Sequence, residues 1–220
     1  MKILVLIPAY NESEKIVEVI RSVKAQSFEV LVVDDGSIDN TSDLAEQAGA
    51  KVLVHPINRG QGAAIKTGLT YFLDTGYDGL VFFDADGQMR PEEISQVIEP
   101  LLLGKYEVAL GSRFLGQVRN IPWVKLVVLK LALLFTRLTT GLKLTDVHNG
   151  FQAWSREAIQ KLNLTQDRQA YASQVLHEIA DKKIKYIETP VTISYTSYSK
   201  KKGQSIFNAF NILFDLLIKK

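Results

Sequence analysis

Short apolar runs alternate with helical patterns through the first half of the chain. Residues 3–7, 30–33, 52–54, 79–83 and 107–110 are compact apolar segments of the type that forms strands covered on both faces. Between them, residues 13–25 place Ile16, Val19, Ile20 and Val23 at helical spacing, and residues 40–48 and 60–73 also read as helices. Pro91 stands at a favourable first helical position and leads a helix to about residue 103.

The second half is less regular. Residues 121–138 are strongly apolar but carry Lys125, Lys130 and Arg137. A membrane-crossing helix needs about 20 apolar residues, and each central charge costs roughly 2.5–3.5 kcal/mol. The segment therefore reads as one or two amphipathic helices lying in an interface. Residues 168–181 predict another helix, and 185–188 and 191–195 two strands separated by Thr189-Pro190. Residues 206–218 predict a C-terminal amphipathic helix that runs into Lys219-Lys220.

Strands alternating with helices imply an α/β fold with a mostly parallel sheet flanked by helices, in one domain spanning residues 1–220. Ligands in such folds bind beyond the carboxyl ends of the strands. Polar clusters follow Ile7, Val33, Val54 and Phe83, where that rule places a site.

Composition narrows the chemistry. The chain contains no cysteine and only three histidines, none paired at zinc-ligand spacing. Any bound metal is expected to be a hard cation held by oxygens. Met1-Lys2 leads directly into a strand-like run and a proline, unlike a secretory leader, so a cytoplasmic protein is expected. The net charge of +2 conceals an asymmetry. Residues 1–112 carry 9 Lys+Arg against 17 Asp+Glu, whereas residues 113–220 carry 17 against 7. The second half is thus suited to an anionic partner, a phosphate or a membrane surface.

Asp84-Ala85-Asp86-Gly87-Gln88 is the strongest chemical signal. Two carboxylates just past a buried strand can turn toward one divalent ion, and such an ion can neutralise a departing diphosphate. Asp34-Asp35-Gly36-Ser37 follows another strand. Its acidic pair suits base N–H groups or ribose hydroxyls, while Asp39 or Asn40 can cap the next helix. In Pro8-Ala9-Tyr10-Asn11-Glu12, Tyr10 offers an aromatic face and Glu12 a ribose contact; Asn11 or Ser13 can cap the following helix. Asn58-Arg59-Gly60-Gln61-Gly62 allows close backbone approach to a ligand at a helix start. It lacks the spacing of the common kinase and dehydrogenase phosphate loops.

These motifs, with Gly111-Ser112-Arg113-Phe114 and Asn149-Gly150-Phe151, stand in the order seen in family 2 glycosyltransferases. The chain resembles most the dolichyl-phosphate mannose synthase-like, or polyprenyl-phosphate glycosyltransferase, group, over nearly its whole length. The resemblance implies a GT-A fold and an inverting transfer. It implies Mg²⁺ or Mn²⁺ at Asp84, Asp86 and Gln88, and nucleotide-sugar contacts from Pro8, Ala9, Tyr10, Glu12, Asp35, Asn58, Gly62, Asp84 and Ala85. It gives Asp86, Arg113 and Asp146 catalytic positions, with Arg113 near the acceptor phosphate and Asp146 bordering the donor sugar. Two departures bear on the sugar and acceptor: Gln174 stands where many relatives have an acid, with Glu178 one turn later, and the last basic loop reads Tyr198-Ser199-Lys200-Lys201-Lys202 without a preceding arginine.

The reaction expected is displacement at the anomeric carbon by a polyprenyl phosphate, already ionised at neutral pH, so positioning and charge stabilisation carry it. Arg113, Lys125, Lys200 and Lys202 are the candidates to hold the acceptor phosphate. Residues 1–112 form the donor half and 113–220 the acceptor and membrane half. A UDP-sugar is favoured over GDP-mannose, and no nucleic acid is expected. Attachment is expected to be peripheral, at the cytoplasmic face, through the surface itself or a small membrane partner or homo-oligomer. The competing readings are transfer to a sugar hydroxyl of a growing polysaccharide, and a non-catalytic nucleotide-sugar-binding subunit.

Overall fold

The computed structural model describes residues 1–196 and Tyr198. Seven strands form one sheet: β1 (Ile3–Ala9), β2 (Glu29–Asp34), β3 (Lys51–Val54), β4 (Gly79–Phe82), β5 (Val108–Arg119), β6 (Gln152–Ser155) and β7 (Tyr186–Ser194), in the order β3-β2-β1-β4-β6-β5-β7. The helices are α1 (Ile16–Ala25), α2 (Thr41–Gln47), α3 (Gln61–Leu73), α4 (Ile94–Leu102), α5 (Trp123–Thr140), α6 (Arg156–Lys161) and α7 (Tyr171–Asp181).

Strands β3, β2, β1 and β4 are parallel neighbours, and β5 pairs parallel with β7. Only β6 runs against its neighbours β4 and β5. The expected mostly parallel α/β sheet is therefore present. Its register aligns the site: Leu6 lies beside both Leu31 and Phe82, and Ala9 beside Asp34. The segments after β1, β2 and β4 consequently leave the sheet along one edge.

Alternation along β1 divides the core. Val5 and Ile7 pack with Ile16, Ile20, Val23, Val81 and Phe83 on one face. Leu4 and Leu6 pack with Leu31, Phe72, Leu80, Phe82 and Trp154 on the other. Full burial of each such side chain contributes about 1.5–3 kcal/mol, which holds the edge rigid under the site.

Four features depart from the expectations. Strand β6 and helix α6 were not foreseen. Gln152-Ala153-Trp154-Ser155 places only two apolar residues between two polar ones, too short a run to read as a strand, yet all four are buried. Gln152 is satisfied internally, donating from Nε2 to the Asn149 carbonyl (2.9 Å) and accepting from Trp154 Nε1 (3.1 Å). Strand β7 is continuous through Thr189-Pro190 instead of broken there. It is an edge strand, where proline's missing N–H removes no ladder bond on the open side.

Strand β5 continues past residue 110 to Arg119, with a register shift between Ser112 and Gln117. That irregularity takes Arg113 out of the ladder, and its N–H bonds to the Asp146 carboxylate instead. The 112/113 boundary between the expected halves falls inside β5, so both halves share one sheet.

Residues 123–140 form the single helix α5, ended by Gly141 in the left-handed conformation (φ +71°). Leu129, Ala132 and Thr136 face inward. Trp123, Val127, Leu131, Leu134 and Leu138 are exposed. No helix among the described residues is long and apolar enough to cross a membrane. Lys200 and Lys202, and the helix expected over 206–218, lie outside the described residues.

Candidate active site

Beyond β4 the chain makes a tight turn on its acidic motif. Asp86 accepts the Gln88 backbone N–H (3.0 Å) and the Gln88 side-chain amide, and Gly87 takes a positive φ of +71°. Asp84 receives one long hydrogen bond among the described residues, from Gln61 Nε2 at 3.5 Å. Burial, with the charges of Asp86 and Glu12 beside it, pushes Asp84 up to about 7, against the opposing pull of Arg113 and Lys125. Gly150 lies against this carboxylate: a Cβ there would stand 2.5 Å from Asp84 Oδ2. Tyr171 of α7 is buried, and burial first and the Asp84 charge second raise its pKa.

Two acids crowded at a strand end, one desolvated and poorly paired, fit a hard divalent cation. No group of three or more His, Cys, Asp or Glu that could hold a metal exists among the described residues. An ion at Asp84 and Asp86 would therefore take its remaining ligands from neutral oxygens such as the Gln88 amide and from the substrate. Ala85, between the acids, packs its methyl into the core, so only its backbone is available to a ligand.

The neighbouring loops interlock. Asp34 accepts the Ser37 N–H (2.7 Å). Asn11, at φ +53°, donates its N–H to Ser37 Oγ (2.8 Å) and accepts the Ile38 N–H (2.9 Å). Asp39, not the Asn40 side chain, accepts the Thr41 N–H (3.1 Å) at the start of α2, and it also accepts the Ser13 N–H (3.2 Å). Pro8 and Ala9 form the end of β1; Tyr10 is exposed beside them. Glu12 is buried, donates its N–H to Thr41 Oγ1 (2.7 Å) and accepts the Tyr198 hydroxyl (2.7 Å).

Asp35 is only 3% exposed. Its carboxylate accepts the N–H groups of Arg59 (3.0 Å) and Gly60 (2.6 Å) and faces His55 Nδ1 at 2.7 Å. It thereby shapes the loop that carries Asn58, whose side chain is exposed. The close approach that Gly60 and Gly62 permit is taken by the protein itself: Cβ atoms there would meet the Asp167 carbonyl at 2.7 Å and the Gln166 carbonyl at 2.4 Å. Ala63 donates its N–H to Asp167 (2.8 Å). The start of α3 is thus packed against the 166–168 segment, at the place where the sequence allowed close backbone approach to a ligand.

Across from the acids stands a basic group. Arg113 is 4% exposed and donates to Asp146 from Nε (2.7 Å) and to the Tyr195 hydroxyl from Nη1 (2.7 Å). Nη2 lies 3.4 Å from the carbonyls of Val147 and His148. Burial works against its charge, but Asp146 and Tyr195 outweigh it and the pKa is raised. Lys125, from α5, sits with Nζ 4.5 Å from the Tyr195 ring centroid. Burial and the Arg113 charge lower its pKa, while Asp86 and Asp84 pull the other way. The two acids and the two cations therefore share one electrostatic environment. Burial, with Arg113 beside it, pushes His148 down to about 4, so this imidazole is neutral at pH 7.

Several residues of this site were not found from sequence. Glu188 accepts the N–H groups of Thr145 (2.8 Å) and Asp146 (3.0 Å) and so fixes the acid that holds Arg113. An acid inside an apolar strand run was the available signal. His55, Tyr171 and Tyr195 carried no motif. Gln174 bonds to the loop before α7, accepting from the N–H groups of Thr165 and Gln166 (both 3.0 Å) and donating to the Asn163 carbonyl (2.9 Å). Glu178 accepts the Asn163 N–H (2.9 Å) and pairs with Lys182 (2.6 Å).

Residues 4–162 match the profile of Glycosyl transferase family 2. The chain belongs to that family. It is 34% identical to the UDP-N-acetylglucosamine–dolichyl-phosphate N-acetylglucosaminyltransferase of Methanococcus voltae, covering 99% of this chain and 96% of that protein. It is 34% identical to the polyprenol monophosphomannose synthase of Mycolicibacterium smegmatis, over 94% of this chain and 83% of that one. Among solved structures, glucosyl-3-phosphoglycerate synthase from Mycobacterium tuberculosis, bound to Mn²⁺, UDP and glucosyl-3-phosphoglycerate, superposes with a TM-score of 0.73 at 23% identity, covering 97% of this chain and 79% of that one. The fold of this glycosyltransferase is GT-A.

Proposed function

We propose that this glycosyltransferase moves a sugar, with inversion, from a nucleotide-sugar to the phosphate of a polyprenyl phosphate. The observation that carries the reading is the opposition of Asp84 and Asp86 to Arg113 and Lys125 at one edge of the sheet. The acids suit the donor's diphosphate through a cation; the bases suit a second, anionic substrate. The sequence relatives named for transfer to dolichyl or polyprenyl phosphate support the same acceptor class.

Asp84, Asp86 and Gln88 would hold Mg²⁺ or Mn²⁺, which would supply charge stabilisation for the leaving nucleoside diphosphate. Tyr10, Glu12 and Asn58 would meet the nucleoside, with the backbone of Pro8, Ala9 and Ala85 alongside. Asp35 and Gly62 would act through the loop they shape. Arg113 and Lys125 would orient the acceptor phosphate, whose ionised oxygen is itself the nucleophile. Asp146 accepts three hydrogen bonds from Arg113 and Asn149, which makes it the anchor of the guanidinium and not a general base. This arrangement favours a phosphate over a sugar hydroxyl, which would require a base.

The enzyme would work at the cytoplasmic face of a membrane. The exposed apolar stripe of α5, with Lys130 exposed on the same helix, suits an anionic leaflet, alone or with a small membrane partner or second copy. Incubation with undecaprenyl or dolichyl phosphate, Mn²⁺ and radiolabelled UDP-glucose, UDP-N-acetylglucosamine or GDP-mannose tests the reading. Label should enter the lipid fraction from one donor, with a UDP-sugar expected; no transfer from any of them overturns it.

A further inference from the structure

His55 occupies a place that no part of the reaction requires, yet it is buried among polar partners. It follows β3, with its ring 7% exposed. Nδ1 lies 2.7 Å from Asp35 Oδ1, and Nε2 lies 2.9 Å from Thr67 Oγ1 on α3. An ionised Asp35 can only accept, so Nδ1 donates. The ring is then held at both ends, by the strand-end acid and by the helix.

Asp35 passes that restraint on. The oxygen that accepts from His55 also accepts the Arg59 N–H, and the other oxygen accepts the Gly60 N–H. Gly60 has a φ of +102°, reached without strain only by glycine, so the loop's path depends on what anchors its N–H groups. Gly36 closes the loop from the other side: a Cβ there would lie 2.7 Å from the Asn58 nitrogen. The position of Asn58 is thus set by a chain running from Thr67 through His55 and Asp35 to the Arg59-Gly60 backbone.

We propose that His55 is a positioning residue for nucleotide binding: it fixes the Asp35 carboxylate and, through it, the Asn58–Gly60 loop. The inference rests on the nucleotide reading of this edge. Without the imidazole, the buried carboxylate loses one of three donors and gains alternative rotamers, and the loop loses its single anchored path. The effect falls on nucleotide affinity, because the loop is remote from Arg113 and its partners in the hydrogen-bond network.

Calorimetry with UDP and with GDP, each in MnCl₂, tests this. His55→Leu is expected to weaken the bound nucleotide about tenfold, the scale of one buried charge-assisted hydrogen bond. His55→Asn, whose amide nitrogen reaches toward the Nδ1 position, should recover to within about threefold of the unsubstituted protein. Thr67→Val, which frees only the far end of the ring, should weaken binding by roughly threefold, and it carries the test if His55→Leu does not fold. Unchanged affinity in a folded His55→Leu, or an Asn variant as weak as the Leu variant, overturns the role of His55. Failure of the unsubstituted protein to bind either nucleotide overturns the nucleotide reading, and this inference with it.

Discussion

Arg113 donates from both its backbone N–H and its Nε to a single oxygen of Asp146, at 2.9 and 2.7 Å. The pair fixes a side chain and the register irregularity of β5 together. Truncating one partner leaves the other as a buried charge, a loss of about 3–5 kcal/mol, whereas replacing both with apolar groups costs less. Asp146→Ala and Arg113→Ala should each lower the urea midpoint strongly, and Asp146→Leu with Arg113→Leu should recover part of the loss. Arg113→Lys cannot reach Asp146, Tyr195 and the two carbonyls together. It should cut transfer by roughly 10²–10³-fold if the guanidinium stabilises transition-state charge. Transfer within a few-fold of normal would show that Arg113 is structural.

Asp84, held up to about 7 by burial and by Asp86, supplies a pH signature. A carboxyl whose folded pKa is raised favours the folded state when protonated, and that contribution fades as pH rises through about 7. A cation reverses the pattern, because it binds the ionised form. The increase in Tm given by Mn²⁺ should therefore be larger at pH 8 than at pH 6. An equal increase at both would mean that Asp84 is not a ligand. Asp86→Ala should abolish turnover while leaving the far-ultraviolet circular dichroism unchanged.

Gln174 carries the next prediction. It accepts from two backbone N–H groups and donates to the Asn163 carbonyl, tying α7 to the segment that packs on Gly60 and Gly62. Gln174→Ala should cost about 1–2 kcal/mol in urea unfolding and speed amide exchange at Thr165 and Gln166. Gln174→Glu keeps the acceptor but loses the donor, so it should cost less and leave those two amides protected. Equal exchange in all three proteins would remove this role.

The limits of the sequence follow from the same contacts. Strands β1, β2 and β4 are covered on both faces, so their apolar runs are continuous and easy to read. Their parallel alignment also brings the motifs after Ile7, Val33 and Phe83 to one edge, as expected. Strand β6 escaped because Gln152 and Ser155 are buried polar residues satisfied by local partners, which erases the apolar signal. Pro190 looked like a break because sequence does not say that β7 is an edge. Gly60 and Gly62 read as room for a ligand's close approach; in the fold residues 166–168 fill that space, and nothing in a single sequence distinguishes the two. His55, Glu188 and Tyr195 act through contacts distant along the chain, which leave no local pattern.

The exposed face of α5 supports the last prediction. Trp123 is 75% and Leu138 77% exposed, with Val127, Leu131 and Leu134 along the helix between them. Burying two such side chains in a bilayer interface contributes up to about 3–6 kcal/mol, and Lys130, exposed on the same helix, adds attraction to anionic lipid. The chain has two tryptophans, and Trp154 is fully buried against Phe82, so a fluorescence change on binding reports Trp123. Vesicles containing phosphatidylglycerol should shift the emission to the blue and carry the protein in flotation. Leu131→Asp should abolish both while leaving nucleotide binding intact, because Leu131 faces outward. Vesicles of neutral phosphatidylcholine should bind less, and high salt should weaken the anionic case. A Trp123 emission that ignores lipid would exclude α5 as the membrane-facing surface.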